Sequence, residues 1–338
     1  MPALEPWVML RLLAGLVATA LFARASLTSW RVLRHFDVRR ATEGQLALER
    51  QAELASTFVR VGTFAQVLAL ALTALAADKL TPSVHGAMCA WGVFASQEGG
   101  FTALGVTGAV ALVAGTVAQL YALDARASDL ALVWPVSIAT LVLAPLAALD
   151  LWTTARFFLG LDLSLTASCC SVSLDADVGA QRAWAVGPRV AVTVAALVGV
   201  SVAVLVAALA ARRPTRARVF FAGCLSLAAL PFALGAAVLE TAPHAFEAPA
   251  HACPFCLLRA DVWGLGYPLF GAMFLACTWA VGAGLGGLAS GASPGGAFAA
   301  FARGRLRRGM IAWAVTLALG ALPVVRYALV SGGAPLFR

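Results

Sequence analysis

The chain has 338 residues, of which 61% are hydrophobic and 12% are charged, and its formal net charge is +8. A soluble globular domain is about 25% charged, so this composition excludes the soluble class and predicts an all-α, polytopic integral membrane helix bundle. The positive charge lies in short arginine clusters between apolar runs, which is a topology signal. We therefore expect the lipid membrane as a partner, and no nucleic acid.

Eight apolar runs follow one another along the chain, each long enough to cross a hydrocarbon core about 30 Å thick. The first run is preceded by Glu5 and by no basic residue, so it is not typical of a signal peptide. We treat residues 1–338 as a single membrane domain. The predicted spans are approximately 7–27, 57–77, 101–123, 129–149, 187–211, 219–239, 263–288 and 310–330.

Arginines gather in every second loop between these spans. Loops rich in arginine and lysine stay in the cytoplasm, so we expect both termini, and the loops 78–100, 150–186 and 240–262, to be extracytoplasmic. The expected location is the inner membrane of a bacterial-type cell. The arginines are Arg31, Arg34, Arg39, Arg40 and Arg50 after the first span, Arg126 after the third, Arg212, Arg213, Arg216 and Arg218 after the fifth, and Arg303, Arg305, Arg307 and Arg308 after the seventh.

The first inner loop, 28–56, has helical character of its own. Thr42-Glu-Gly-Gln45 fits a capping box, in which the Thr42 side chain accepts a hydrogen bond from a backbone N–H group at a helix start. No helix breaker follows before the second span, so we predict one long helix that projects from the membrane. In the seventh span, Gly282-x-x-x-Gly286 permits close helix approach.

Several functions are excluded by missing motifs. The chain has no Gly-x-x-x-x-Gly-Lys loop and only one lysine, Lys79, which argues against a nucleotide-driven motor. None of the four histidines lies in the middle of a predicted span, so we expect no haem b. Asp150, Glu240 and Arg189 fall near predicted span ends, where charges are inexpensive.

Cys253-Pro-Phe-Cys256 precedes the seventh span and carries the strongest chemical signal. Its next residue is Leu257 and not histidine, so it is not a c-type haem attachment site. If the helix begins near Pro254, Cys253 lies at the N-cap, where the helix dipole lowers a thiol pKa. We then expect Cys253 to attack, Cys256 to resolve the mixed disulfide and His251 to assist.

Three further cysteines, Cys89, Cys169 and Cys170, fall in loops predicted to be extracytoplasmic. Three interpretations remain open for the outer thiols. They serve as shuttle thiols in a redox relay, they bind or transport a soft metal such as zinc, copper or mercury, or they form disulfide staples in a non-catalytic protein. In the metal interpretation, Cys169 and Cys170 are the thiol ligands, with His244 and His251 as further ligands.

A Cys-x-x-Cys motif facing outward at a membrane helix, with further cysteines in other outer loops, resembles the vitamin K epoxide reductase and DsbB class of membrane thiol oxidoreductases. The resemblance covers Cys253 to Cys256 and the loop cysteines. It implies a quinone as electron acceptor, Cys253 and Cys256 as the quinone-proximal pair, and a thioredoxin-like extracytoplasmic partner. A quinone site beside the dithiol would use Arg259, Trp263 and Tyr267. The leading prediction is therefore a membrane thiol–disulfide redox relay.

Overall fold

The computed structural model describes residues 5–36, 42–127, 132–163, 188–249, 251–290 and 296–337. All regular elements in these ranges are helical, and a π-helical turn, Ala237–Thr241, joins α8 to α9. The helices are α1 (Pro6–His35), α2 (Glu43–Leu80), α3 (Ala90–Ala95), α4 (Gly100–Asp124), α5 (Val133–Leu141), α6 (Leu143–Leu159), α7 (Arg189–Arg212), α8 (Arg216–Ala236), α9 (Ala242–Ala245), α10 (Gly266–Ala289) and α11 (Gly296–Val330).

Eight helical segments in the described ranges are long and apolar enough to cross a membrane, with lengths of 24 to 41 residues. The chain is therefore a multi-pass helical membrane protein by length and composition, as the apolar runs predicted. The eight segments are α1, α2, α4, α5 together with α6, α7, α8 together with α9, α10, and α11. Which side of the membrane each loop faces stays a prediction.

The connection between the first two spans is shorter than the predicted loop 28–56. Helix α1 continues to His35, and α2 begins at Glu43 and runs for 38 residues. The Thr42 side chain accepts a hydrogen bond from the Gln45 backbone N–H at 3.3 Å. The predicted helix start and the single long helix that follows it are both confirmed.

The fourth span contains a break that the apolar pattern did not predict. Helix α5 ends at Leu141 and α6 begins at Leu143. Pro145 lacks the N–H group that would bond to the Leu141 carbonyl, so the helix is interrupted at this turn. The predicted end of this span at residue 149 is wrong, because α6 continues through Asp150 to Leu159.

The eight spans pack as two sets of four with the same order. In the first set, α1 packs on α2, α2 on α4, α4 on α6 and α6 on α1. In the second set, α7 packs on α8, α8 on α10, α10 on α11 and α11 on α7. The third helix of each set, α4 and α10, meets its counterpart at the centre of the bundle.

Small residues allow α4 and α10 to approach closely. A Cβ atom on Gly282 would lie 2.7 Å from the Gln119 side chain, and one on Gly115 would lie 2.7 Å from Thr278. At contacts this short, a methyl group on either glycine would force the facing side chain to move. The expectation of close helix approach at Gly282 is confirmed.

The bundle has two chemically different ends. We call the end where α4 and α10 begin the thiol end, because the loops that precede these helices carry Cys89, Cys253 and Cys256. We call the opposite end, where α8 and α11 begin and α4 ends, the arginine end. Val8 packs with Val84 and Phe157, and Arg326 lies near Glu247. The start of α1 and the end of α11 therefore both lie at the thiol end.

Candidate functional site: a cluster of three thiols

Cys89, Cys253 and Cys256 converge at the thiol end. Their three Sγ atoms all lie within 4.8 Å of one another, and the Sγ atoms of Cys89 and Cys253 are 3.3 Å apart. The cluster joins the loop of the first helix set to the loop of the second. Among the described residues, these three cysteines are the set of His, Cys, Asp or Glu side chains whose ligand atoms lie close enough together to hold a metal ion.

Cys89 is positioned by the short helix α3, for which it is the N-cap residue. Helix α3 buries Ala90, Val93 and Phe94 against α2 and α4. Gly100, the first residue of α4, allows this approach, because a Cβ atom there would lie 2.2 Å from the Phe94 carbonyl oxygen. The loop is therefore anchored by packing directly after its cysteine.

Cys253 and Cys256 are positioned differently from the prediction. Helix α10 begins at Gly266, and Cys256 instead opens a 3-10 turn, Cys256–Leu258. The condition for a dipole effect on Cys253, a helix that begins near Pro254, is therefore not met, and the argument that a helix dipole lowers the Cys253 pKa loses its basis. Leu257 is fully buried and packs against Gly266, whose absent Cβ would lie 3.1 Å from the Leu257 Cβ. In both loops a glycine at the start of the following helix thus admits the cysteine-bearing segment.

The environment of Cys256 opposes its ionisation. Hydrogen bonds with the Cys253 and Cys89 thiols, together with burial, raise the pKa of the Cys256 thiol. The exposed fractions of Cys89, Cys253 and Cys256 are 1%, 0% and 5%. A buried thiol with a raised pKa is a poor nucleophile, because the thiolate is the reactive form.

His251 lies beside the cluster. Its ring is 4.2 Å from the Phe246 ring, centroid to centroid, at an interplanar angle of 30°. Burial lowers the pKa of the His251 imidazole, and the nearby Cys89 acts in the opposite direction. The Nε2 atom is buried and has no hydrogen-bond partner in the described part of the chain. A neutral imidazole with an unused nitrogen can act as a metal ligand.

An aromatic layer encloses the thiols. Trp91, Phe246 and Phe255 pack directly on the three cysteines. Phe255 also packs on Phe94, with ring centroids 5.3 Å apart. This aromatic layer accounts for the burial of the three thiols.

The other predicted site residues that the structure describes do not join the cluster. Trp263 and Tyr267 are 76% and 53% exposed, and Arg259 pairs with Asp261 at 3.2 Å. His244 is buried elsewhere, where its Nδ1 atom lies 2.8 Å from the Glu240 carbonyl oxygen. Cys169 and Cys170 lie outside the described residues.

A second polar site, inside the first helix set, was missed by the sequence reasoning. Arg11 and Asp150 form an ion pair with Nη2–Oδ1 and Nη2–Oδ2 distances of 2.9 and 3.0 Å, and both side chains are fully buried. The prediction that Asp150 lies at a span end, where charge is inexpensive, is wrong. By contrast, Arg189 and Glu240 do pair with each other in partly exposed positions.

Neighbouring polar side chains complete the Arg11–Asp150 pair. Arg11 Nε donates to Thr73 Oγ1 at 2.6 Å, Thr107 Oγ1 donates to Asp150 Oδ1 at 2.5 Å, and Gln66 Nε2 donates to Asp150 Oδ2 at 2.9 Å. The network joins α1, α2, α4 and α6. The signal that could have found it is a charged residue inside an apolar run, which is rare unless the residue has a partner.

No protein-family model, no curated protein and no solved structure matches the chain. The function is therefore argued from the geometry and chemistry of these sites.

Proposed function

We propose that the chain is a membrane protein that binds one soft transition-metal ion, Zn²⁺ or Cu⁺, through the thiolates of Cys89, Cys253 and Cys256. The observation that carries the proposal is the convergence of three buried sulfur atoms within 4.8 Å of one another from two distant loops. Thiolates are the ligands that soft metals select.

The sulfur separations support a metal site. Sulfur ligands at about 2.3 Å from a tetrahedral zinc ion lie ~3.8 Å from one another. The Sγ atoms of Cys89 and Cys253 are 3.3 Å apart, close to that value, and the remaining Sγ–Sγ separations do not exceed 4.8 Å. The three sulfur atoms are therefore within the range that a shared ion requires.

The electrostatic environment also favours a metal over a reactive dithiol. A buried thiol with a raised pKa, as at Cys256, gains little as a nucleophile, but a bound cation supplies the positive charge that stabilises thiolates in a dry site. Cys253 is fully buried, which disfavours its direct attack on a soluble partner. The geometry thus favours the metal interpretation over the redox relay, which stays a prediction.

A bound ion would connect the two helix sets. Cys89 precedes α4, and Cys253 and Cys256 precede α10. Because α4 and α10 pack against each other, an ion held by all three thiols would fix the relative position of their first turns. We place this site on the extracytoplasmic face of a bacterial-type inner membrane, from the arginine distribution.

The test is elemental analysis of protein that is purified under reducing conditions, loaded with Zn²⁺ or Cu⁺ and freed of excess metal. We expect about one ion per chain, and a loss of at least tenfold in affinity when serine replaces Cys89, Cys253 or Cys256. Cys224→Ser is the matched control, because Cys224 is exposed and lies about two turns after the start of α8 at the arginine end.

Two results would contradict the proposal. One is metal-free protein after loading, and the other is equal metal content in the Cys253→Ser variant and the Cys224→Ser control. A further pair of variants, Cys169→Ser and Cys170→Ser, tests the earlier prediction that these thiols are the ligands. The three-thiol site predicts that metal content survives both substitutions.

A second candidate function is thiol–disulfide exchange, favoured by the 3.3 Å approach of Cys89 and Cys253. Forming one S–S bond between them would release two electrons and two protons, which a membrane quinone would take up to become a quinol. Cys256 could then exchange with this bond within the cluster. Free-thiol titration before and after incubation with a quinone tests this candidate. A loss of two thiols per chain, prevented by Cys89→Ser, would support it, and no loss would exclude it.

A further inference from the structure

A group of arginines converges at the arginine end, on the side away from the thiols. The guanidinium carbons of Arg126 and Arg305 lie 5.8 and 5.2 Å from the centroid of the same ring, Phe301. Arg305 is also within electrostatic range of both Arg126 and Arg308, and both interactions are repulsive. Two like charges are therefore held near one aromatic ring, and a third, Arg308, lies close to one of them.

Two phenylalanines of α11 form the wall of this site. A Cβ atom on Gly286 of α10 would lie 3.4 Å from Phe301, and one on Gly287 would lie 3.2 Å from Phe298. The paired glycines thus let both rings enter between the helices. This packing holds Phe301 in place, and with it the two arginines that lie over its ring.

A fourth arginine, Arg216 at the start of α8, borders the same wall. Its Cα lies 3.6 Å from the position of a Cβ atom on Gly287, next to Phe298. Its Nε and Nη2 atoms are buried and have no hydrogen-bond partner in the described part of the chain. Buried guanidinium donors without an acceptor are costly, so an anion would be stabilised here.

Within the described ranges, no ion pair neutralises this group. The ion pairs formed between described residues involve none of Arg126, Arg216, Arg305 and Arg308. Positive residues at membrane boundaries are common, but that preference alone does not require them to lie close together.

We propose that this group, Arg126, Arg216, Arg305 and Arg308, binds a phosphate anion, namely the phosphodiester of an anionic phospholipid headgroup. Arginine presents planar donors that match phosphate oxygens, and basic pockets between membrane helices bind such headgroups. The proposal is independent of the thiol site.

The lipid source is favoured by the helix face beside the arginines. Arg308, Ile311 and Val315 are spaced three and four residues apart, so they lie on one face of α11. Ile311 and Val315 are 64% and 41% exposed. A headgroup at Arg308 would therefore place its acyl chain along an apolar surface that leads away from the charges.

The experiment titrates delipidated protein in a neutral detergent with phosphatidylglycerol, and follows bound lipid by native mass spectrometry. Phosphatidylcholine and inorganic phosphate are titrated in separate arms. We expect selective phosphatidylglycerol binding, weakened about fivefold by Arg126→Gln, Arg305→Gln or Arg308→Gln. Arg34→Gln is the matched control, since Arg34 also lies over an aromatic ring, Trp30, at 4.3 Å, but not within this group of arginines.

The outcomes separate the sources of the anion. Phosphatidylglycerol binding that falls in the three variants and not in Arg34→Gln supports the lipid site. Inorganic phosphate binding with the same pattern of loss supports the anion site and assigns it a soluble ligand. Equal binding by all variants, or equal binding of phosphatidylcholine, overturns the proposal. A melting temperature unchanged in the ligand-free variants would show that the fold is intact.

Discussion

Replacing Asp150 with asparagine should destabilise the protein strongly. The substitution keeps the size of the side chain and one acceptor oxygen, but it removes the negative charge beside Arg11. Arg11 is fully buried, and its remaining partners, Thr73, Thr107 and Thr154, are uncharged. The arginine would then be a buried charge without a counter-ion.

The size of the effect follows from this burial. Removing one partner of a buried ion pair costs about 3–5 kcal/mol in the free energy of unfolding. We expect Asp150→Asn near the lower value, because the amide can still accept from Gln66 or Arg11, and Asp150→Ala near the upper value. Replacing both charges with apolar residues, as in Arg11→Met with Asp150→Leu, should recover most of the loss, because neither charge then stays uncompensated.

The assay is equilibrium unfolding in mixed detergent micelles, for the single variants, the double variant and one control variant. Glu240→Gln is the control, since the Arg189–Glu240 pair is 21% and 18% exposed and should contribute only about 0–1 kcal/mol. A cost below about 1 kcal/mol for Asp150→Asn, or a double variant as unstable as the sum of the singles, would refute the reasoning.

Three further predictions concern helix packing, the thiols and topology. Gly115→Leu should cost about 1–3 kcal/mol by overpacking α4 against α10, whereas Gly105→Leu, where nothing lies within 4 Å of a Cβ atom, should leave the melting temperature unchanged. Metal affinity should rise with pH, because the thiols, including Cys256 with its raised pKa, must lose protons to bind the ion. Competition with a chelator at several pH values measures the affinity, and an affinity that does not change with pH would contradict the prediction. A cysteine introduced at Met88, which is 57% exposed, should react with a membrane-impermeant maleimide in intact cells, and labelling only after lysis would reverse the predicted orientation.

The number and type of the helices could be predicted from the sequence because both depend on local properties. A run of about 20 apolar residues satisfies its backbone within itself, whatever its neighbours are. The local sequence left open whether a helix begins near Pro254. Cys253-Pro-Phe-Cys256 fits the first turn of a long helix and also a loop that leads into a 3-10 turn. Packing of Leu257 against Gly266 selects the second arrangement.

The two polar sites depend on contacts between distant parts of the chain. Cys89 and Cys253 are separated by 164 residues, and Arg11 and Asp150 by 139. Cys253, Cys256 and His251 could be singled out from their spacing, but nothing in their own segment indicates that Cys89 joins them. Asp150 was taken as a span boundary because its charge was considered without its partner.

X-ray absorption spectroscopy of the metal-loaded protein tests the central claim most directly, because it reports the ligand atoms around the ion. The three-thiol site predicts a sulfur shell at about 2.3 Å for zinc, with fewer sulfur ligands when serine replaces Cys89. A nitrogen or oxygen shell without sulfur, or a sulfur shell unchanged in the Cys89→Ser variant, would contradict the assignment of Cys89, Cys253 and Cys256 as the metal ligands.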